Sequence, residues 1–123
     1  MLSEIEGLPA RIEARPHLLR LGQLFSETVL VQVDEIEHYL VFHRGHLEAV
    51  RPGPSKKIPY RFAIVTDAEA MRAFWQPVPE PGFHDIFALA KIGRVQILGD
   101  ILSLVKNLRF VKEVLALPRE ASA

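Results

Sequence analysis

The chain has 123 residues, 49% of them hydrophobic and 24% charged, and its fifteen basic side chains balance fifteen acidic ones. That length suits one hydrophobic core over residues 1–123, and the composition excludes a disordered chain. Zero net charge gives no global field for nucleic acid, and the absence of cysteine excludes disulfides, thiolate metal sites and cysteine nucleophiles.

The opening residues, 2–20, mix helix formers with Pro9 and Pro16 and predict two short helical pieces. Residues 1–23 read as a helical lead-in. They lack a basic start followed by an apolar run, and no stretch of about 18 apolar residues occurs anywhere, so neither a signal peptide nor a membrane span is expected. A cytoplasmic location follows as an expectation. "TVLVQV" (28–33), "HYLVFH" (38–43) and "HLEAV" (46–50) are short, rich in β-branched and aromatic residues, and separated by turn-sized gaps. They predict an antiparallel meander with a tight hairpin at Arg44-Gly45, Gly45 taking a positive φ. A proline-studded basic loop, "RPGPSKKIP" (51–59), leads to a fourth strand, "YRFAIV" (60–65).

Thr66 and Glu69 have the Thr-x-x-Glu spacing of a capping box and predict a helix carrying Met71, Phe74 and Trp75. "QPVPEPG" ends it. In the next helix Phe83, Ile86, Phe87 and Ala90 fall at i, i+3, i+4 and i+7, one apolar stripe that runs up to Gly93. "RVQIL" (94–98) is the fifth strand, and Asp100 caps a long helix over 101–117. On that helix Ile101, Leu104, Val105, Leu108, Val111 and Leu115 share a face fit to dock on a sheet. Leu102, Phe110, Val114 and Leu117 lie opposite, where a partner chain, a bound lipid or a membrane surface must meet them. The order of elements gives an α+β fold, a mostly antiparallel five-stranded sheet covered by helices.

Catalytic chemistry finds little support. His84 and Asp85 are adjacent on a helix and point about 100° apart, so they do not form a dyad; Asp85 suits a helix start instead. The glycines of "KIGRVQILGD" match no phosphate-binding pattern and read as turn residues. His43 and His46 oppose each other across the hairpin, half of a metal site with only Glu48 nearby, and zinc ordinarily needs three or four ligands. No serine sits in a nucleophile elbow. The basic loop has no interleaved aromatics to stack on bases. Residues 91–123 carry six basic against three acidic side chains, a mild bias that suits an anionic head group or a solvated face.

"YRFAIVTDAEAMRAFW", "PGFHDIFALAKIGRVQILGD" and "NLRFVKEVL" resemble the second half of the sterol carrier protein-2-like domain, and "TVLVQV" with "HYLVFHRGHLEAVRPGP" is similar to its opening meander. The resemblance covers about residues 24–117. It implies a sheet and helices enclosing an apolar tunnel for sterols, fatty acyl chains or acyl-CoA, with no catalytic residue and no cofactor. This chain departs from animal members in its helical N-terminal segment and in ending "EASA" rather than in a Ser-Lys-Leu address. Within that frame the expected lining is Phe42, Phe74, Trp75, Phe83, Ile86, Phe87, Leu102, Val105 and Phe110. The expected partner is an apolar small molecule, with at most transient membrane contact and no nucleic acid. The alternative is a protein-interaction or homodimerisation module with a side-chain-filled cavity.

Overall fold

The computed structural model describes residues 2–55 and 57–122, so Lys56 of the basic loop lies outside the described residues. Three helices rather than two open the chain: α1 (Leu2–Glu6), α2 (Leu8–Glu13) and α3 (Pro16–Leu21). Pro9 and Pro16 each occupy a first helical turn, where an N–H would have no partner within the helix. Ile5, Leu8, Ile12 and Leu18 are all buried. The segment is therefore built into the core and does more than lead in to it.

Strands β1 (Thr28–Val33), β2 (Ile36–His43) and β3 (His46–Pro52) form the expected meander. Arg44 and Gly45 both take positive φ in the hairpin turn. Strand β4 (Phe62–Thr66) lies parallel to β1, and β5 (Gln96–Gly99) pairs antiparallel with β4. The sheet order is β3-β2-β1-β4-β5, so β3 and β5 are its edges. Alternation divides the side chains: Val29, Val31, Val33, Leu40, Phe42, Phe62 and Ile64 join the main core, while Leu30, Tyr39 and Ala63 form a small second cluster. The Tyr39 hydroxyl closes the second cluster, donating to Glu37 at 2.6 Å and lying 2.9 Å from the Ser55 carbonyl. The bond to Glu37, together with burial, pushes its pKa up to about 12.

Helices α4 (Ala68–Phe74) and α5 (Ile86–Lys91) connect β4 to β5, and α6 (Ile101–Lys106), α7 (Leu108–Ala116) and a 3₁₀ segment (Leu117–Ser122) complete the chain. Asp67, not Thr66, caps α4, accepting from the Ala70 amide at 2.8 Å. Thr66 is retained by β4 and its hydroxyl donates to the Arg94 carbonyl at 2.8 Å. Asp85 and Asp100 cap α5 and α6 as their positions suggest, accepting from Ala88 at 2.9 Å and Ser103 at 3.1 Å. Because α5 starts at Ile86, Phe83 precedes it, and the buried pair on this helix is Ile86 and Leu89.

The long helix expected over 101–117 is broken at Asn107. Its side-chain amide donates to the Ser103 carbonyl at 2.8 Å, while its backbone N–H turns to Leu104 at 3.1 Å. A side chain thus takes the acceptor that the next turn of helix would use. Phe110, Val111, Val114, Leu115 and Leu117 are all buried, so the expected outer stripe of α7 belongs to the core. The residues left outside are Ile101, Leu102 and Val105 of α6, 50%, 61% and 50% exposed.

These placements bear on two stability measurements. His38 is buried on the helix-facing side of β2, and burial lowers its pKa from 6.5 while the Glu6 charge opposes the shift. The folded chain then holds a neutral imidazole at pH values where the unfolded chain protonates it. This contribution is fully present above about pH 6.5 and is lost as pH falls through that value toward the folded pKa. Denaturant midpoints should fall between about pH 7.5 and pH 5.5, and His38→Gln should flatten that fall. Asp85 meets both the Ala88 amide and Lys112 Nζ, the latter at 3.3 Å. Burial alone would raise its pKa, yet these two partners hold it below the usual carboxylate value. Asp85→Ala should cost about 0.5–2 kcal/mol in urea unfolding, as a lost cap does; His84→Ala, at an exposed site, should cost under about 0.5 kcal/mol.

Candidate functional site

The expected lining centres on the space between the sheet and α7. Its wall begins at Gly22, directly after α3. A Cβ there would collide with the Phe110 ring, so only glycine lets α7 approach. Gly45 at the hairpin tip rests on the same spot: its own Cβ would stand 2.9 Å from the Gly22 backbone, and its N–H donates to the Phe25 carbonyl at 3.0 Å. This arrangement brings four phenylalanines together. Phe25 lies 5.3 Å from Phe42, 6.4 Å from Phe62 and 5.5 Å from Phe110 by ring centroids, and Phe42 lies 5.6 Å from Phe110. The Phe25–Phe42 and Phe42–Phe110 pairs are edge-to-face, an arrangement favoured by the ring quadrupoles.

The cluster fills the interior. The enclosed space among Val29, Leu40, Phe42, Val111, Val114 and Leu115 is about 10 Å³, near the lower limit for one water molecule. Ligand sites for drug-sized molecules run to several hundred Å³. Among the described residues the space at this point leaves no room for such a molecule.

The nine expected lining residues are divided by the fold. Phe42 and Phe110 meet in the aromatic cluster. Phe74 and Trp75 are buried at the end of α4, where the Trp75 indole N–H donates to the Leu115 carbonyl at 2.8 Å. Ile86 is buried, whereas Phe83 and Phe87 are half-buried, and the Arg94 guanidinium lies 5.7 Å over the Phe83 ring. Leu102 and Val105 stand outside, on α6. Of that helix only Leu104 is buried.

The polar candidates disperse as well. His84 Nε2 is 3.7 Å from Asp85 Oδ2, too long for a hydrogen bond, and the imidazole is exposed. His43 and His46 are cross-strand partners, but His46 Nδ1 is engaged by Glu13 at 2.6 Å. Among the described residues no group of three His, Asp or Glu side chains is placed to hold a metal.

A further cleft, about 580 Å³, carries no signal in the sequence. It lies where β1 begins and β2 ends, between Glu27, Val41, His43, Glu48, Tyr60, Arg61 and Asp100. Arg61 spans it, donating to Glu27 at 3.1 Å and approaching Asp100 at 3.6 Å. No local signal marks this pairing, because Glu27 and Arg61 meet only through the parallel alignment of β1 with β4.

No family model matches the sequence, and no curated protein matches it. Solved structures do match. A crystal structure of sterol carrier protein 2 is 12% identical and superimposes with a TM-score of 0.75, over 96% of this chain and 95% of that one. A conserved hypothetical protein from Thermus thermophilus, suggested to be a sterol carrier protein, is 12% identical with a TM-score of 0.71, over 100% of this chain and 89% of that one. The UbiJ-SCP2 ubiquinone synthesis protein is 16% identical with a TM-score of 0.58, over 94% and 89%. The α+β arrangement of a five-stranded mixed sheet and covering helices is thus the sterol carrier protein-2 fold.

Proposed function

We propose that the chain binds an apolar small molecule, a fatty acyl chain or sterol-like lipid, between the sheet and the α6–α7 pair, and carries it without catalysis. The observation that supports this reading is the state of α6. A helix that presents Ile101, Leu102 and Val105 to solvent, holds only Leu104 inside, and is divided from α7 at Asn107 is suited to serve as a movable cover. Swinging α6 outward exposes little that is not already exposed, so the opening costs less than displacing α7 with its four buried residues. Phe42 and Phe110 then become the wall that a ligand displaces. Two fold neighbours bear names that point to apolar molecules, a sterol carrier protein and a ubiquinone synthesis protein.

A second reading is favoured by the interior void of only about 10 Å³: the domain is a protein-interaction module, and the outer face of α6 is its contact. The two readings separate experimentally. Titrating fatty acids of increasing length by fluorescence displacement should give affinity that rises by about 0.8 kcal/mol per methylene and then reaches a plateau when the chain outgrows the space. Mass spectrometry of material extracted from the purified protein should find an apolar compound. Absence of binding at every length, together with a dimer that Leu102→Asp converts to monomer in light scattering, would establish the interaction module instead.

A further inference from the structure

A second cleft, about 290 Å³, lies where the start of α3 meets the end of α7 and the 3₁₀ segment. Apolar Leu18, Ala116 and Leu117 share its walls with Arg15, His17 and Arg119. Arg119 donates through Nε and Nη2 to the Phe74 carbonyl at 3.0 and 2.6 Å, and through Nη2 to the His84 carbonyl at 3.2 Å. Its guanidinium sits 5.0 Å over the Phe74 ring. Among the described residues no carboxylate pairs with it. Carbonyl dipoles and a ring face position this cation but leave its charge uncompensated, and burial lowers its pKa accordingly.

Arg15 is incompletely satisfied too. Its Nη2 meets the Glu120 carboxylate, yet its Nε is buried with no hydrogen-bond partner, a situation that costs free energy unless a ligand or water supplies an acceptor. The other acid of the cleft, Glu113, is shared between His17 and Arg109, each at 3.2 Å. The cleft's two guanidiniums, Arg15 and Arg119, face two carboxylates, but Glu120 pairs with Arg15 and Glu113 with His17 and with Arg109 outside the lining, so neither serves Arg119.

We infer that this cleft is a binding site for a carboxylate or phosphate group, held between the Arg15 and Arg119 guanidiniums, with Leu18, Ala116 and Leu117 against any apolar body the anion carries. The planar fork of arginine matches both oxyanions and pairs with them by short, charge-assisted bonds. The anion is either free in solution or the head group of an amphiphile. The cleft shares no lining residue with the void under α7, so the site stands or falls separately from the carrier reading.

The test follows the side-chain Nε–H resonances of Arg15 and Arg119 in the full-length protein during titration with inorganic phosphate and with octyl phosphate, ionic strength being held constant with sodium chloride. Saturable shifts of both resonances are expected. Arg15→Gln and Arg119→Lys should each raise Kd at least tenfold with an unchanged far-ultraviolet spectrum. Octyl phosphate binding at least tenfold tighter than phosphate identifies an amphiphile head group, and equal affinity identifies a free small anion; both support the site. Because Arg119 also clamps two carbonyls, a variant there that fails to fold leaves Arg15→Gln to decide. No saturable shift with either probe, or a Kd that Arg15→Gln leaves unchanged, overturns the proposal.

Discussion

Phe110 packs against a residue with no side chain. The contact between its ring and Gly22 fixes how close α7 comes to α3, and Gly45 of the β2–β3 hairpin is seated on the same backbone. Three parts of the chain, remote in sequence, therefore converge on one bare Cα. Any added atom there would meet ring and main chain at distances that packed interiors do not tolerate. From this point the aromatic cluster of Phe25, Phe42, Phe62 and Phe110 extends across the sheet, and α7 inherits its orientation from it. At the other end α6 buries only Leu104 and leaves Ile101, Leu102 and Val105 exposed.

The sheet adds a second constraint. Parallel pairing of β1 with β4 requires a long crossover, which here carries β2, β3 and the loop between Pro52 and Phe62. That pairing places Arg61 beside Glu27 and Asp100, so the cap of α6 is tied electrostatically to the start of β1. Arg94 makes a similar tie, joining the cap of α4 to the stretch before β5 through Asp67 at 3.2 Å. These polar groups thus mark junctions between elements, and among the described residues His38 and Thr66 are the buried polar side chains of an otherwise apolar interior.

What was legible in the sequence followed from short periodicities. Val29, Val31 and Val33 alternate with Leu30 and Gln32 and fix β1 to its last residue; Asp85 and Asp100 announce helix starts because a carboxylate has one useful partner there. The same logic points to Thr66 for α4, whereas the oxygen that caps the helix is that of its neighbour Asp67. The register of β4 beside Arg94 decides between them. Asn107 was hidden for a related reason: an amide inside an amphipathic run is compatible with helix, and only its bond to Ser103 ends the helix. Phe110, Val114 and Leu117 lie in the core rather than on an outer face, Phe110 seated against Gly22 after α3. The two clefts depended on tertiary approach, with Glu27 and Arg61, and Arg15 and Glu120, meeting across long separations.

The outer strands have a consequence for the protein at high concentration. An exposed strand offers unpaired amides and carbonyls to neighbouring copies. Here β3 carries a bulge opposite Val41 and Phe42, exposes Glu48 and Arg51, and ends at a proline that has no amide to donate. Strand β5 is only four residues long and stops at Gly99, whose φ of +90° turns the chain away. Both borders are thus poor templates for sheet extension, and resistance to fibre growth is built into the backbone at the two places where a small open sheet is most vulnerable.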